Sequence, residues 1–481
     1  MRFSETFSSI NIAFFEIIVY NITDRGDFMV FKRKIYSKLL EWKEKSKGSR
    51  ALLVEGARRI GKSTIVEEFA KNEYKTYILI NFNECDEVVK NAFRTKIRKL
   101  DEFFSIISVE YGVTLYNRES IIIFDEVQMF PKAREAIKSL VKDGRFDYIE
   151  TGSLISIQEN VKDITIPSEE SSIKMYPLDF EEFCWALNKE SLCDYIKDCF
   201  LKKVPLIDEF HRDAMFIFKQ YLLVGGMPQS LVDYIEHNRS FEFVDLRKRD
   251  IIDLYRKDIR KIKGAYKSKV ISVFDQIPTF LSNHEKRIKI SNIANGDMTE
   301  YSYEQTFFWL NDSMIVNQCF KCNDPNVGLP FNENRDAVKC YMCDTGLLFS
   351  MAFDENQIIS EELYKQIMRD KLAINKGMLY ENAISQMLVA KGHKLFFYTR
   401  FNEDKHRNDI EIDFIITESN SINSKIIPIE VKSSKNYSTI SLHRFIEKYK
   451  TRIKNSYVIH PKNLKIENGI IYIPPYMTIC L

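Results

Sequence analysis

Two sets of residues in this chain have the types and spacing to do chemistry. In the first, Gly56-Ala57-Arg58-Arg59-Ile60-Gly61-Lys62-Ser63 fills every fixed position of G-x-x-x-x-G-K-S/T. A polyphosphate needs many N–H donors converging from one side, and glycine lets the backbone come that close. Lys62 would reach the β- and γ-phosphates, Ser63 would ligate Mg²⁺, and Thr64 would lie near the α-phosphate. Further on, Asp125 and Glu126 end an apolar run. Asp125 would hold Mg²⁺ through its water shell, while Glu126 would orient and deprotonate an attacking water. Thr151 or Ser153 would offer a hydroxyl to the γ-phosphate or to that water. The second set is Asp413 with Glu430-x-Lys432, joined by Glu381. Carboxylates of this kind bind Mg²⁺ in phosphodiester nucleases, with the lysine positioning and helping to activate water.

These groups need elements that aim them. Ala51 to Val54 reads as a buried strand, and Thr64, Ile65, Val66, Phe69 and Ala70 recur at helical spacing, so the glycine loop joins strand to helix. Ile121 to Phe124 is a continuous apolar run, the mark of a central parallel strand. Carboxylates at its C-terminal end fall where open α/β sheets bind ligands. Thr76 to Phe82 and Phe146 to Thr151 are further strands, and residues 34 to 46 form a helix ahead of the loop. For the second set, a helix from Gly377 to Lys391 ends at Gly392, and strands follow at 394–400, 409–417 and 425–434. Alternation places Asp409, Glu411 and Asp413 on one face of the middle strand and Ile410, Ile412 and Phe414 on the other.

Between the two sets, Pro177 to Leu201 is helical, and Tyr221 to Glu236 sets Gly225, Gly226 and Pro228 between apolar runs. Residues 241 to 270 hold ten Lys and Arg against five Asp and Glu, either a phosphate-binding surface or a solvated helix face. Ile288 to Val316 reads as helix, turn, helix with two strands after it, as in a winged helix. Its second helix offers only Gln305 and Asn311 to base edges, which favours packing over sequence reading. Cys319-x-x-Cys322 and Cys340-x-x-Cys343, 17 residues apart, have the spacing of a zinc site. They sit on alternating strands without the glycine turn of a knuckle, so zinc is not expected.

With 481 residues and 45% hydrophobic content, the chain can bury several cores. A net charge of +2 excludes an overall polycation. Nine cysteines without a secretion signal point to reduced thiols in a cytoplasm. The apolar stretch Ile10 to Ile22 contains Glu16 and is too short to span a membrane. Met29 begins a more ordinary sequence, so residues 1–29 are expected to be an N-terminal extension from an over-called start.

The loop GARRIGKST, IIIFDEVQMFP at Ile121 to Pro131, ETGS at Glu150 to Ser153 and YPLDFEEF at Tyr176 to Phe183 together resemble AAA-type ATPases of bacteria and archaea. YEN at Tyr380, YTR at Tyr398, EIDF at Glu411 and EVKSS at Glu430 resemble the C-terminal domain of unknown function in that family, with a PD-(D/E)xK endonuclease-like core. The resemblance implies an α/β fold in sequential parts. These are a P-loop ATPase domain at 30–175, a helical lid at 176–285, a winged-helix-like region at 286–350 and a restriction-endonuclease-like domain at 370–481. AAA-type sites often take an arginine from a neighbouring subunit, which would need a homo-oligomer; the sequence does not single out which arginine. The expected activity is ATP hydrolysis coupled to the nuclease-like domain, with DNA or a protein as partner. Two alternatives stay open: a nucleotide-gated switch with little turnover, and an ATP-regulated metal-dependent nuclease.

Overall fold

The structure is a computed structural model that describes residues 29–152, 168–262, 267–283, 288–289, 300–353, 359–371, 375–404, 406–417, 425–434 and 436–481. Ser153 and residues 1–28 lie outside these.

The first sheet is built from β1 (Ala51–Glu55), β2 (Thr76–Asn81), β3 (Ser120–Asp125), β4 (Asp147–Gly152) and β5 (Glu170–Lys174), in the order β2-β3-β4-β1-β5. All its pairings are parallel. Both faces are covered, which is why β3 can be apolar throughout: Ile121, Ile122, Ile123 and Phe124 are fully buried. Parallel register brings Glu55 opposite Gly152, and Asp125 opposite Asn81, so the carboxyl ends of β1, β3 and β4 share one edge. One face packs on the helix Lys62–Glu73, and the other packs on the helices Glu87–Thr95, Leu100–Tyr111 and Lys132–Asp143 through a separate aromatic-rich core.

Helices Phe180–Ala186, Glu190–Lys202, Asp208–Val224, Pro228–Glu236 and Phe241–Arg260 follow. The run expected as one helical pattern from Pro177 to Leu201 is two helices, broken where Asn188 adopts a left-handed φ of 57°. Asp179 caps the first of them in a reciprocal capping box with Glu182.

The second sheet has nine strands. These are β6 (Ile288–Lys289), β7 (Val316–Cys322), β8 (Glu333–Met342), β9 (Leu395–Asn402), β10 (Arg407–Thr417), β11 (Ile426–Val431), β12 (Tyr457–Ile459), β13 (Lys465–Glu467) and β14 (Ile470–Ile473). Their order is β13-β14-β12-β11-β10-β9-β7-β8-β6. Two expectations change here. Ile288–Lys289 is a strand paired with Val338 and Ala337, not the start of a helix. The strands expected as the wing of a separate 286–350 region are continuous with the C-terminal sheet, because β7 pairs in parallel with β9 at Cys319–Leu395 and Phe320–Phe396. Their apolar faces are covered by the sheet's two cores, which a free-standing wing would leave in water.

The alternation expected along β10 also breaks. A register shift between Ile412 and Ile415 turns Phe414 and Ile416 into the central core, while Ile410, Ile412 and Ile415 face the opposite one. A bulge that inserts residues into one strand has this effect on everything beyond it.

Candidate functional site: the phosphate loop and the acidic cluster

The loop after β1 folds as phosphate binding requires. Gly61 has φ 89° and opens the helix Lys62–Glu73. A Cβ on Gly56 would lie 2.5 Å from the Met175 carbonyl oxygen, so only glycine fits between β1 and the chain leaving β5. Lys62 folds back over the loop and donates to the carbonyls of Gly56 at 2.9 Å and Ala57 at 2.8 Å. Burial lowers its ammonium to about 8, against the opposing pull of Glu126 and Asp125. Ser63 Oγ donates to Asp125 Oδ1 at 2.6 Å, and Thr151 donates to the same oxygen. The predicted residues Lys62, Ser63, Asp125 and Thr151 therefore converge.

Hydroxyl and carboxylate oxygens meeting beside a phosphate loop suit a hard cation such as Mg²⁺, so this donor set fits the ion the motif implies. Glu126 follows in a left-handed turn at φ 54°, and its carboxylate accepts from the Gln128 side-chain amide. Ile60 is buried, and Arg59 takes φ 67°.

Several contacts at this site carry no signal in the sequence. Arg58 is held by Asp258 of the helix Phe241–Arg260, with both carboxylate oxygens 3.0 Å from one guanidinium nitrogen. One turn earlier, Tyr255 donates its hydroxyl to the Arg58 carbonyl at 2.9 Å. Arg33 donates to the carbonyls of Ile60, at 3.0 Å, and Tyr176, at 2.6 Å, and lies 3.2 Å from Glu182. No motif spacing links positions 58 and 258; only the tertiary fold does.

At least five of the ten cations in the basic run at 241–270 have partners within the fold. Arg247 pairs with Asp233, Arg249 with Asp245, Arg256 with Asp275 and Lys261 with Asp258, while Lys248 is buried on the Leu223 carbonyl.

The second predicted set also comes together. Lys432 Nζ lies 2.7 Å from Glu430 Oε1, and the Val431 amide donates to Asp413 Oδ2 at 2.9 Å. A residue without a predicted role sits among them: Lys339 of β8, with Nζ 3.3 Å from Asp413 Oδ1 and 3.9 Å from Glu381 Oε2. Tyr341 donates to Glu381 at 3.0 Å. Burial raises Glu430 to about 7, with Lys432 pulling the other way. A lysine inside the apolar strand AVKCYM was the available signal, since buried lysines are rare unless paired. Cys319, Cys340 and Cys343 lie in the central core and Cys322 in the core on the sheet's other face, so the four thiols do not converge. Among the described residues, no helix is long and apolar enough to cross a membrane.

Comparison with known proteins follows this division. Residues 48–184 match the family model described as an AAA domain. Residues 215–357 and 376–477 match two domains of unknown function, DUF8612 and DUF4143. The chain is 21% identical over 284 residues to uncharacterized protein MJ1637 of Methanocaldococcus jannaschii, which covers 56% of this chain and 55% of that protein. It thus spans about half the length of that curated relative. Among solved structures it is similar to the Walker-type ATPase PABY2304 of Pyrococcus abyssi. That match is 17% identical, covers 67% of this chain and 96% of that one, and has a TM-score of 0.41. It is also similar to AMPPCP-bound DnaA from Aquifex aeolicus, at 15% identity, 59% and 80% coverage and a TM-score of 0.27. The family match and the phosphate-loop geometry together make residues 48–184 an AAA-type P-loop domain.

Proposed function

We propose that the chain binds ATP with Mg²⁺ at Gly56–Thr64, hydrolyses it, and passes the nucleotide state to its C-terminal α/β region through the helix Phe241–Arg260. The observation that carries this reading is the convergence of Ser63 and Thr151 on Asp125 beside Lys62. Ser63 and Asp125 would hold Mg²⁺, which when bound supplies positive charge against the phosphates. Lys62 would exchange two carbonyl partners for phosphate oxygens. Those are stronger acceptors, and this would favour its charged form. Glu126 would orient the attacking water and take its proton once its carboxylate leaves the Gln128 amide that holds it here. Thr151 would report the γ-phosphate through Asp125; Ser153, outside the described residues, would offer a hydroxyl to the γ-phosphate or the water. Arg58 occupies the loop itself, so a change of loop conformation on nucleotide binding would pull on Asp258 and Tyr255.

Phosphate release by wild type, Lys62→Ala and Glu126→Gln tests this. Lys62→Ala is expected to lose binding and turnover. Glu126→Gln is expected to keep binding and lose turnover by about 100-fold or more, the usual contribution of a general base. Equal turnover in wild type and Lys62→Ala would remove the ATPase assignment.

The contact of the Gln128 amide with Glu126 favours a second reading, a nucleotide-gated switch with little turnover that acts on DNA or a protein partner. Tight ATP binding without phosphate release, together with partner binding lost in Lys62→Ala, would select it.

A further inference from the structure

We infer that Lys339 is the resident cation of the C-terminal acidic cluster, standing where a nuclease-like core would carry a divalent metal, and that this cluster is a structural ion-pair node. Three carboxylates would have to share such a metal, and each already has a protein partner. Asp413 has Lys339 on one oxygen and the Val431 amide on the other. Glu381 has Lys339 and the Tyr341 hydroxyl. Glu430 has Lys432, keeping one buried oxygen, Oε2, without a hydrogen-bond partner. A metal shared by the three would have to displace the Lys339 ammonium, which already stands within reach of both Asp413 and Glu381. Among the described residues, no group of three or more His, Cys, Asp or Glu side chains is arranged to hold a metal ion.

Lys339 is also placed as a fixed component. Its side chain is 2% exposed, whereas Lys432, the lysine of the Glu-x-Lys pair, is 23% exposed.

The surroundings of Glu381 point the same way. One residue on, Asn382 clamps Met342 by accepting from its amide at 2.8 Å and donating to its carbonyl at 3.2 Å. One turn further, Gln386 accepts from the Thr345 amide at 2.9 Å and donates to the Leu178 carbonyl and to Asp344, both at 3.3 Å. Asp344 in turn accepts from the Gly226 amide. The polar stripe of the helix Lys376–Ala390 is therefore a row of ties from β8 to the lid turn, with Glu381 and Lys339 as its first rung.

The test uses nucleotide-free full-length protein and Mn²⁺ alone, read by electron paramagnetic resonance. Wild type is expected to show no Mn²⁺ site that disappears in Asp413→Asn. Lys339→Ala, which opens space among the carboxylates, is expected to gain one such site and to lose it again in Lys339→Ala/Asp413→Asn. An Asp413-dependent site in wild type would overturn the inference. So would a folded Lys339→Ala, judged by a cooperative melt, that gains none. If Lys339→Ala does not fold, the comparison of wild type with Asp413→Asn still decides. Neither result depends on whether the phosphate loop hydrolyses ATP.

Discussion

Lys62 shows how far a single residue can be read. The motif names it, but the price of its burial appears only in the fold, where its ammonium falls to about 8. Nucleotide phosphates favour the protonated form, so above about pH 8 binding must take up a proton. ATP affinity should then fall by up to about tenfold per pH unit, and should be flat below pH 8 as far as this group decides. Calorimetry in buffers of different ionisation enthalpy checks the uptake, and an affinity unchanged from pH 7 to 10 would contradict it. Glu430 carries the opposite linkage. With its folded value near 7 against an ordinary 4.5, the native state holds the extra proton, so its contribution to stability falls as pH rises between those values. Glu430→Gln should flatten that part of the stability profile, measured by denaturant unfolding from pH 4.5 to 8. At this scale the phosphate loop and Asp125 were legible because their chemistry dictates spacing along the chain. Lys339, Asp258 and Arg33 were not, because their partners stand 74, 200 and 27 residues away.

Among the elements, strands were easier to read than their neighbours. An apolar run identifies β3 as buried, yet nothing in Val316–Cys322 says that it pairs with Leu395–Phe397 rather than closing a small wing. Pairing partners are set by crossovers that local pattern does not contain, and the bulge in β10 that turns Phe414 to the other face is equally silent. The lid turn makes a sharper case. A Cβ on Gly226 would sit 2.0 Å from the Leu178 carbonyl oxygen, and one on Gly346 would sit 2.4 Å from that of Val224. Both contacts are with backbone, which cannot swing aside. Gly226→Ala and Gly346→Ala should each cost about 3 kcal/mol or more, read as a drop in unfolding midpoint. The helix Phe241–Arg260 offers a functional test. Asp258→Ala should uncouple its amide hydrogen exchange from nucleotide, so that ATP protects this helix in wild type and leaves it unchanged in the variant. Equal protection in both would place the coupling elsewhere.

For the whole molecule, one core joins the P-loop sheet, the lid helices and a face of the nine-stranded sheet. The division into consecutive parts along the chain is therefore less sharp in space than the sequence implied, since Asp344 and Gln386 of the C-terminal half hold Gly226 and Leu178 directly. AAA-type sites often take an arginine from a neighbouring subunit, so solution mass should rise on adding ATP with Mg²⁺ and stay constant in Lys62→Ala. The most direct test of the central claim is a calorimetric titration of ATP with Mg²⁺ into wild type, Lys62→Ala and Asp125→Ala. The account predicts saturable binding near one per chain in wild type, lost in Lys62→Ala and no longer strengthened by Mg²⁺ in Asp125→Ala. No heat from wild type at millimolar ATP, or the same isotherm in all three, would contradict it.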